Sequence, residues 1–130
     1  MRFMMLVKST KNSEAGLPPD PRLMQAIGKL AADQTQRGAI IASGGLSPSS
    51  QGVRIRVGGG KLTVIDGPFT ESKELIGGYA IFELASKEEA LAAGKQFMQV
   101  HLDVMGSSYE GELEIRPIFA GSQASAKQGE

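Results

Sequence analysis

The sequence contains no cysteine, no tryptophan and a single histidine, His101. Without cysteine there is no disulfide framework, no thiol nucleophile and no thiolate metal site, so the fold must stand on its apolar core. One histidine cannot supply the paired imidazoles of a zinc hydrolase or a related metal centre within a chain, and no spacing of carboxylates argues for Mg²⁺. Neither metal nor cofactor is expected. An excess of one charge is missing too: 14 Lys and Arg stand against 14 Asp and Glu. That balance removes the basic field used by nucleic-acid binders and membrane-surface proteins. Long apolar runs are also lacking, and none approaches the length of a membrane helix. The apolar run at residues 3–7 stops at Lys8 with no small-residue cleavage site after it. It is too short for a secretory leader, and a soluble, cytoplasmic protein is expected.

What is present suits one domain. A chain of 130 residues, 41% apolar and 22% charged, can bury about two-thirds of its unfolded surface. Residues 1–120 are expected to form the domain. Residues 121–130 have no apolar periodicity and are expected to be a disordered tail.

Residues 3–7 read as a strand apolar on both faces, which belongs in a sheet covered on both sides. After a Gly/Pro loop, Asp20 can cap a helix with Pro21 in its first turn. Leu23, Met24, Ile27, Leu30 and Ala31 follow at helical spacing, and Arg37-Gly38 closes it. Residues 39–42 make a short strand and residues 46–52 a loop. Val53, Ile55 and Val57 alternate with Arg54 and Arg56, and Leu62, Val64 and Ile65 answer them across Gly58-Gly59-Gly60: a hairpin with one wet face. A strand resumes over residues 79–84. Ser86 and Glu89 form a capping box for a second helix with Ala90, Leu91, Gly94, Phe97, Met98 and His101 on one face. Residues 103–111 read as loop, and residues 113–119 as a last strand whose Pro117 suits a sheet edge.

With the hairpin set aside, the order is βαββαβ, an α+β ferredoxin-like arrangement in which both helices cover one face of an antiparallel sheet. The other face needs cover. No further element supplies it, so a second copy packing sheet on sheet is the economical answer: a homodimer forming an α+β barrel.

The stretch Asp66-Gly67-Pro68-Phe69-Thr70-Glu71-Ser72-Lys73-Glu74-Leu75-Ile76-Gly77-Gly78-Tyr79 resembles the signature of the DGPF domain, a branch of the YCII-related superfamily. The first strand, the Ser86 capping box and Glu114-Ile115-Arg116-Pro117 are similar to that family as well, so the resemblance covers nearly all of residues 2–119. It implies a dimeric α+β barrel. It also implies a link of many members to extracytoplasmic-function sigma factors, and a proposed His–Asp pair with the histidine on the first helix. Residues 20–36 contain no histidine, so that pair does not transfer to this helix.

Asp66, Glu71, Lys73 and Glu74 form the densest polar cluster, beside the rigid apolar wall of Pro68 and Phe69. A carboxylate against such a wall has its charged form disfavoured, one route to a general acid or base near neutrality. Turn chemistry alone explains the same residues without function. Gly77-Gly78 before Tyr79 permits a close approach or a bulge, and the Tyr79 phenol can donate into a cleft or simply pack. His101, at the end of the second helix, can meet Asp103 only if the helix stops between them. Arg54 and Arg56 share a strand face that can hold an anion or merely be solvated. Gly58-Gly59-Gly60-Lys61 lacks the spacing, the hydroxyl residue and the helix of a phosphate loop.

Two functions remain open. One is a small-molecule lyase or hydrolase with Asp66 or His101 as base, Glu71 as second carboxylate and Tyr79 as donor. The other is a non-catalytic ligand-binding or regulatory module using the same cleft, with the DGPF loop and the end of the second helix lining it.

Overall fold

The computed structural model describes residues 1–70 and 74–119. Glu71, Lys73 and the tail at residues 121–130 lie outside the described residues. In chain order the elements are β1 (Arg2–Lys8), α1 (Lys11–Glu14), α2 (Pro21–Gln36), β2 (Ile40–Gly45), a 3₁₀ turn (Ser49–Gln51), β3 (Val53–Gly58), β4 (Lys61–Asp66), β5 (Ile76–Glu83), α3 (Lys87–Met105) and β6 (Leu113–Pro117). The main sheet is antiparallel in the order β2-β5-β1-β6, with β3 and β4 forming a separate two-stranded ribbon. This is the ferredoxin-like strand order with the hairpin inserted between its second and third strands, and Pro117 lies on the edge strand β6.

Local chemistry accounts for the helix ends. The Asp20 carboxylate accepts the Arg22 N–H at 2.8 Å, and Pro21 begins α2. Gly38 at φ +77° follows the last turn. Ser86 Oγ accepts the Glu89 N–H at 3.2 Å. The Glu89 carboxylate reaches one residue past the cap, taking the Ala85 N–H at 3.2 Å. The hairpin turns on Gly59 and Gly60, both at positive φ, between the paired Gly58 and Lys61. At Gly77 the pairing of β1 with β5 slips, Val7 facing Gly78 and Lys8 facing Ile76, so the glycine pair marks a bulge.

A side chain at Gly94 would place its Cβ 2.8 Å from Ile115 Cδ1 and 3.1 Å from Leu113 Cδ2, so α3 lies tight on β6. Ile115 and Leu113 pair with Met5 and Val7, which puts those residues on the helix-covered face. Phe3, Met5, Phe82 and Ala90 are buried there. Met4 and Leu6 therefore lie on the opposite face, with their register partners Ile81 and Tyr79.

Three expectations change. α3 continues to Met105, so residues 103–105 are helix rather than loop, and His101 sits one turn before its end. The connection read as a Gly/Pro loop contains α1, whose Thr10 hydroxyl accepts the Ser13 N–H at 3.1 Å. The hairpin does not bury its aliphatic face: Val53, Ile55, Val57, Leu62 and Val64 are exposed, and on the other face only Arg54, over the Phe69 ring, and its register partner Ile65 are half-buried. The alternation shows which residues share a face. It does not show which face meets water, and a guanidinium can lie flat on an aromatic ring.

Candidate functional site

The DGPF loop is held at Ser49. Gly67 N–H donates to the Gly52 carbonyl at 3.0 Å, and Phe69 N–H donates to Ser49 Oγ at 3.0 Å. Ser49 Oγ in turn donates to Glu14 Oε2, while Ser49 N–H donates to Glu14 Oε1 at 2.9 Å. One serine thus joins α1, the 46–52 loop and the DGPF loop, where the Gly67–Pro68 peptide is cis. The Arg54 guanidinium lies 4.0 Å above the Phe69 ring. Between these groups is an open cleft of about 410 Å³ with Pro48, Glu74 and Leu75 also in its walls.

The electrostatics restrict what this cleft can do. The Ser49 hydroxyl, then the Ser49 N–H, hold the Glu14 carboxyl below the usual glutamate range. It is ionised near neutrality: a hydrogen-bond acceptor and a negative charge, but a weak base and no acid. The Ser49 hydroxyl donates a hydrogen bond to Glu14, but this carboxylate is too weak a base to take the proton, and the N–H of Phe69 on the same oxygen lowers its nucleophilicity. Glu14, Ser49, Arg54 and Phe69 can bind and orient a ligand. They do not form a nucleophile, base and orienter.

The sequence-predicted residues are dispersed. Asp66 is exposed and pairs opposite Val53, on the aliphatic side of the hairpin away from Arg54 and Phe69. Tyr79 is half-buried on the open sheet face, its ring so near Gly44 that a Cβ there would sit 3.2 Å from it. His101 is buried between Phe97 and Tyr109, with ring centroids 4.6 and 5.4 Å away. His101 Nδ1 is 2.9 Å from the Phe97 carbonyl. A carbonyl can only accept, so Nδ1 carries a proton. Burial pushes the Tyr109 phenol up. Asp103 instead accepts from Gln99 Nε2 at 2.8 Å, one helical turn back. No His101–Asp103 pair forms, because α3 does not end between them. Neither Asp66 nor His101 lines the Ser49 cleft. Glu71 lies outside the described residues.

Sequence reasoning missed Glu14 and read Ser49 only as loop. The Thr10 and Ser13 pair was the available signal for α1, with serine where a capping box usually has Glu or Gln. Among the described residues no three of His, Cys, Asp and Glu gather as a metal site. Among them, too, no helix is long and apolar enough to cross a membrane.

The YCII-related domain matches residues 1–106 of this chain. An uncharacterized protein of Rhizobium meliloti (strain 1021) is similar to it, with 26% identity over 99 residues, 76% of this chain and 75% of that protein.

Proposed function

This chain belongs to the YCII-related family, and on that premise we propose that it binds a small molecule in the Ser49 cleft without transforming it. The carrying observation is that the Ser49 hydroxyl is engaged on both sides, by Glu14 and by the Phe69 N–H. The cleft therefore offers a fixed negative acceptor, a guanidinium and the apolar surfaces of Phe69 and Pro48, which suit recognition. The Asp66-Gly67-Pro68-Phe69 loop supports the DGPF branch of the family. In this reading its work is to place Phe69 under Arg54 and against Ser49. A ligand-observed NMR screen of metabolite mixtures tests the proposal. A binder should lose its line broadening with the Glu14→Gln variant and be recovered unchanged after prolonged incubation. A stoichiometric excess of a chemically altered product would overturn binding alone.

The lyase or hydrolase reading keeps one observation in its favour. With Nδ1 donating to the Phe97 carbonyl, Nε2 is the His101 nitrogen left to act as a base, and the Tyr109 ring packs against the imidazole. It would place the chemistry at α3, away from the DGPF loop, and His101→Phe would then abolish turnover.

The functional unit in this reading is a homodimer. Met4, Leu6, Tyr79 and Ile81 lie on the sheet face that the helices leave open, and the hairpin exposes a further set of aliphatic side chains. Apolar surface of several hundred Å² is on the scale of patches that mark protein–protein contact.

A further inference from the structure

We propose a second ligand site, for a small, planar, neutral molecule with an amide edge, in the cleft between the end of α2, the end of β5 and the first half of α3. It shares no residue with the Ser49 cleft, and its cavity is about 670 Å³.

Gln34 carries the argument. This residue of α2 is only 5% exposed, yet among the described residues its side-chain amide has no hydrogen-bond partner. Burying an amide without a partner is costly, and such groups call for an explanation. Neither polar atom of the amide is fully sealed, and the residue forms part of the cleft wall. The amide is thus within reach of solvent, and the residue that carries it stands in the cleft wall. A single water needs only about 30 Å³, so the space admits something larger.

The remaining walls define the ligand class. Phe82, Leu84, Ala39 and Ala92 supply apolar surface. The charged groups at the rim are already engaged. Arg37 pairs with Asp33 at 3.1 Å, and Glu83 pairs with Arg2 at 3.1 Å and with the terminal ammonium of Met1 at 2.7 Å. Glu89 accepts the Ala85 N–H at 3.2 Å. With Arg37 and Glu83 ion-paired and the Glu89 carboxylate still negative, the rim repels an anion, and a neutral ligand fits. A glutamine amide presents an N–H and a carbonyl side by side, and its complement is another amide edge, as in a lactam or a pyrimidinone. Two parallel hydrogen bonds beside the apolar side chains of this open cleft would satisfy the amide and set the orientation of the ring.

The test uses 2-pyridone as probe, with ¹⁵N–¹H NMR of the full chain. Titration should give saturable shifts of the Gln34 side-chain NH₂ pair and of the Gly38 and Leu84 backbone amides. N-methyl-2-pyridone, which keeps the ring and carbonyl but lacks the N–H, should bind about tenfold more weakly. Gln34→Met should abolish the 2-pyridone shifts and melt no lower than the parent, because it removes an amide that has no partner among the described residues while keeping similar bulk. Absence of saturable shifts, equal binding of the N-methyl compound, undiminished binding by Gln34→Met, or a marked loss of thermal stability in that variant would each overturn the proposal. The comparison of the two probes needs no variant. Glu14→Gln leaves this site intact, so failure here and failure at the Ser49 cleft are separate results.

Discussion

Gly67 passes so close to Ser49 that a side chain at position 67 would overlap the Ser49 carbonyl oxygen. The glycine of the DGPF loop is thus set by steric room against the 46–52 loop. Backbone atoms cannot yield as the tip of a flexible side chain can. Gly67→Ala should lower stability by about 1–3 kcal/mol, the usual cost of forcing extra volume into a packed site. Gly52→Ala tests the same carbonyl more gently, with its Cβ 3.3 Å from that oxygen, and should cost less. Urea unfolding of the two variants checks the order, and equal losses would show that the Gly67 contact is relieved by loop movement.

Acid should weaken the junction at Ser49. The Ser49 hydroxyl and N–H depress the Glu14 carboxyl in the folded chain, and these bonds are absent in the unfolded one. A depressed folded value means the stabilisation is complete above the unfolded value, about 4.3 for glutamate, and is lost as the pH falls through the folded value below it. Asp20, depressed by Arg22, acts in the same direction. So do Glu83, depressed by the Met1 ammonium and Arg2, and Glu114, depressed by Lys8 and Arg116. Stability should therefore be flat near neutrality and fall below about pH 4.3. Ser49→Ala removes the larger cause at Glu14 and should make the acid limb shallower. If its urea midpoint falls as steeply as that of the parent between about pH 5 and pH 3, the Glu14 bond does not hold in solution.

The proposed homodimer makes a prediction that separates adjacent residues. Met4 faces the open side of the sheet, and Met5 is buried under the helices. Met4→Lys should leave the chain folded and shift it to a 13.7 kDa species in sedimentation at micromolar concentration. Met5→Lys should unfold it, because an unpaired ammonium would enter the core. A parent chain that already sediments at 13.7 kDa would remove the dimer.

The parts of the fold legible in the sequence are those decided within a few residues. Asp20 and Ser86 mark helix starts, Gly59 and Gly60 the hairpin turn, and Gly77 the bulge, each by its own backbone chemistry. The strand order followed from the alternation of these elements. The Ser49 cleft was not legible, because Glu14 and Ser49 are 35 residues apart and neither advertises the other. Gln34 lay unremarked inside an amphipathic helix. Its isolation is a property of what fails to pack beside it, which no spacing in the sequence records. Residue types did point to Asp66 and His101, but the tertiary arrangement puts one on the outer side of a hairpin and the other in a helix–sheet layer.

The position of His101 makes the last prediction decisive between structure and chemistry. Its ring fills the space between Phe97 and Tyr109, and among the described residues its ring hydrogen-bonds the Phe97 carbonyl alone. That carbonyl stands at the i−4 position in α3, where it also serves the helix ladder, so removing the imidazole N–H strands no acceptor. His101→Phe keeps the ring and most of the volume, and should change stability by less than about 1.5 kcal/mol. His101→Ala empties a buried site and should cost about 2–4 kcal/mol. In the binding reading, His101→Phe leaves ligand affinity at the Ser49 cleft unchanged, because the histidine does not line that cleft. If His101→Phe folds normally and yet loses a turnover that the parent displays, the lone pair on Nε2 is working as a base. The lyase or hydrolase reading would then replace the binding one.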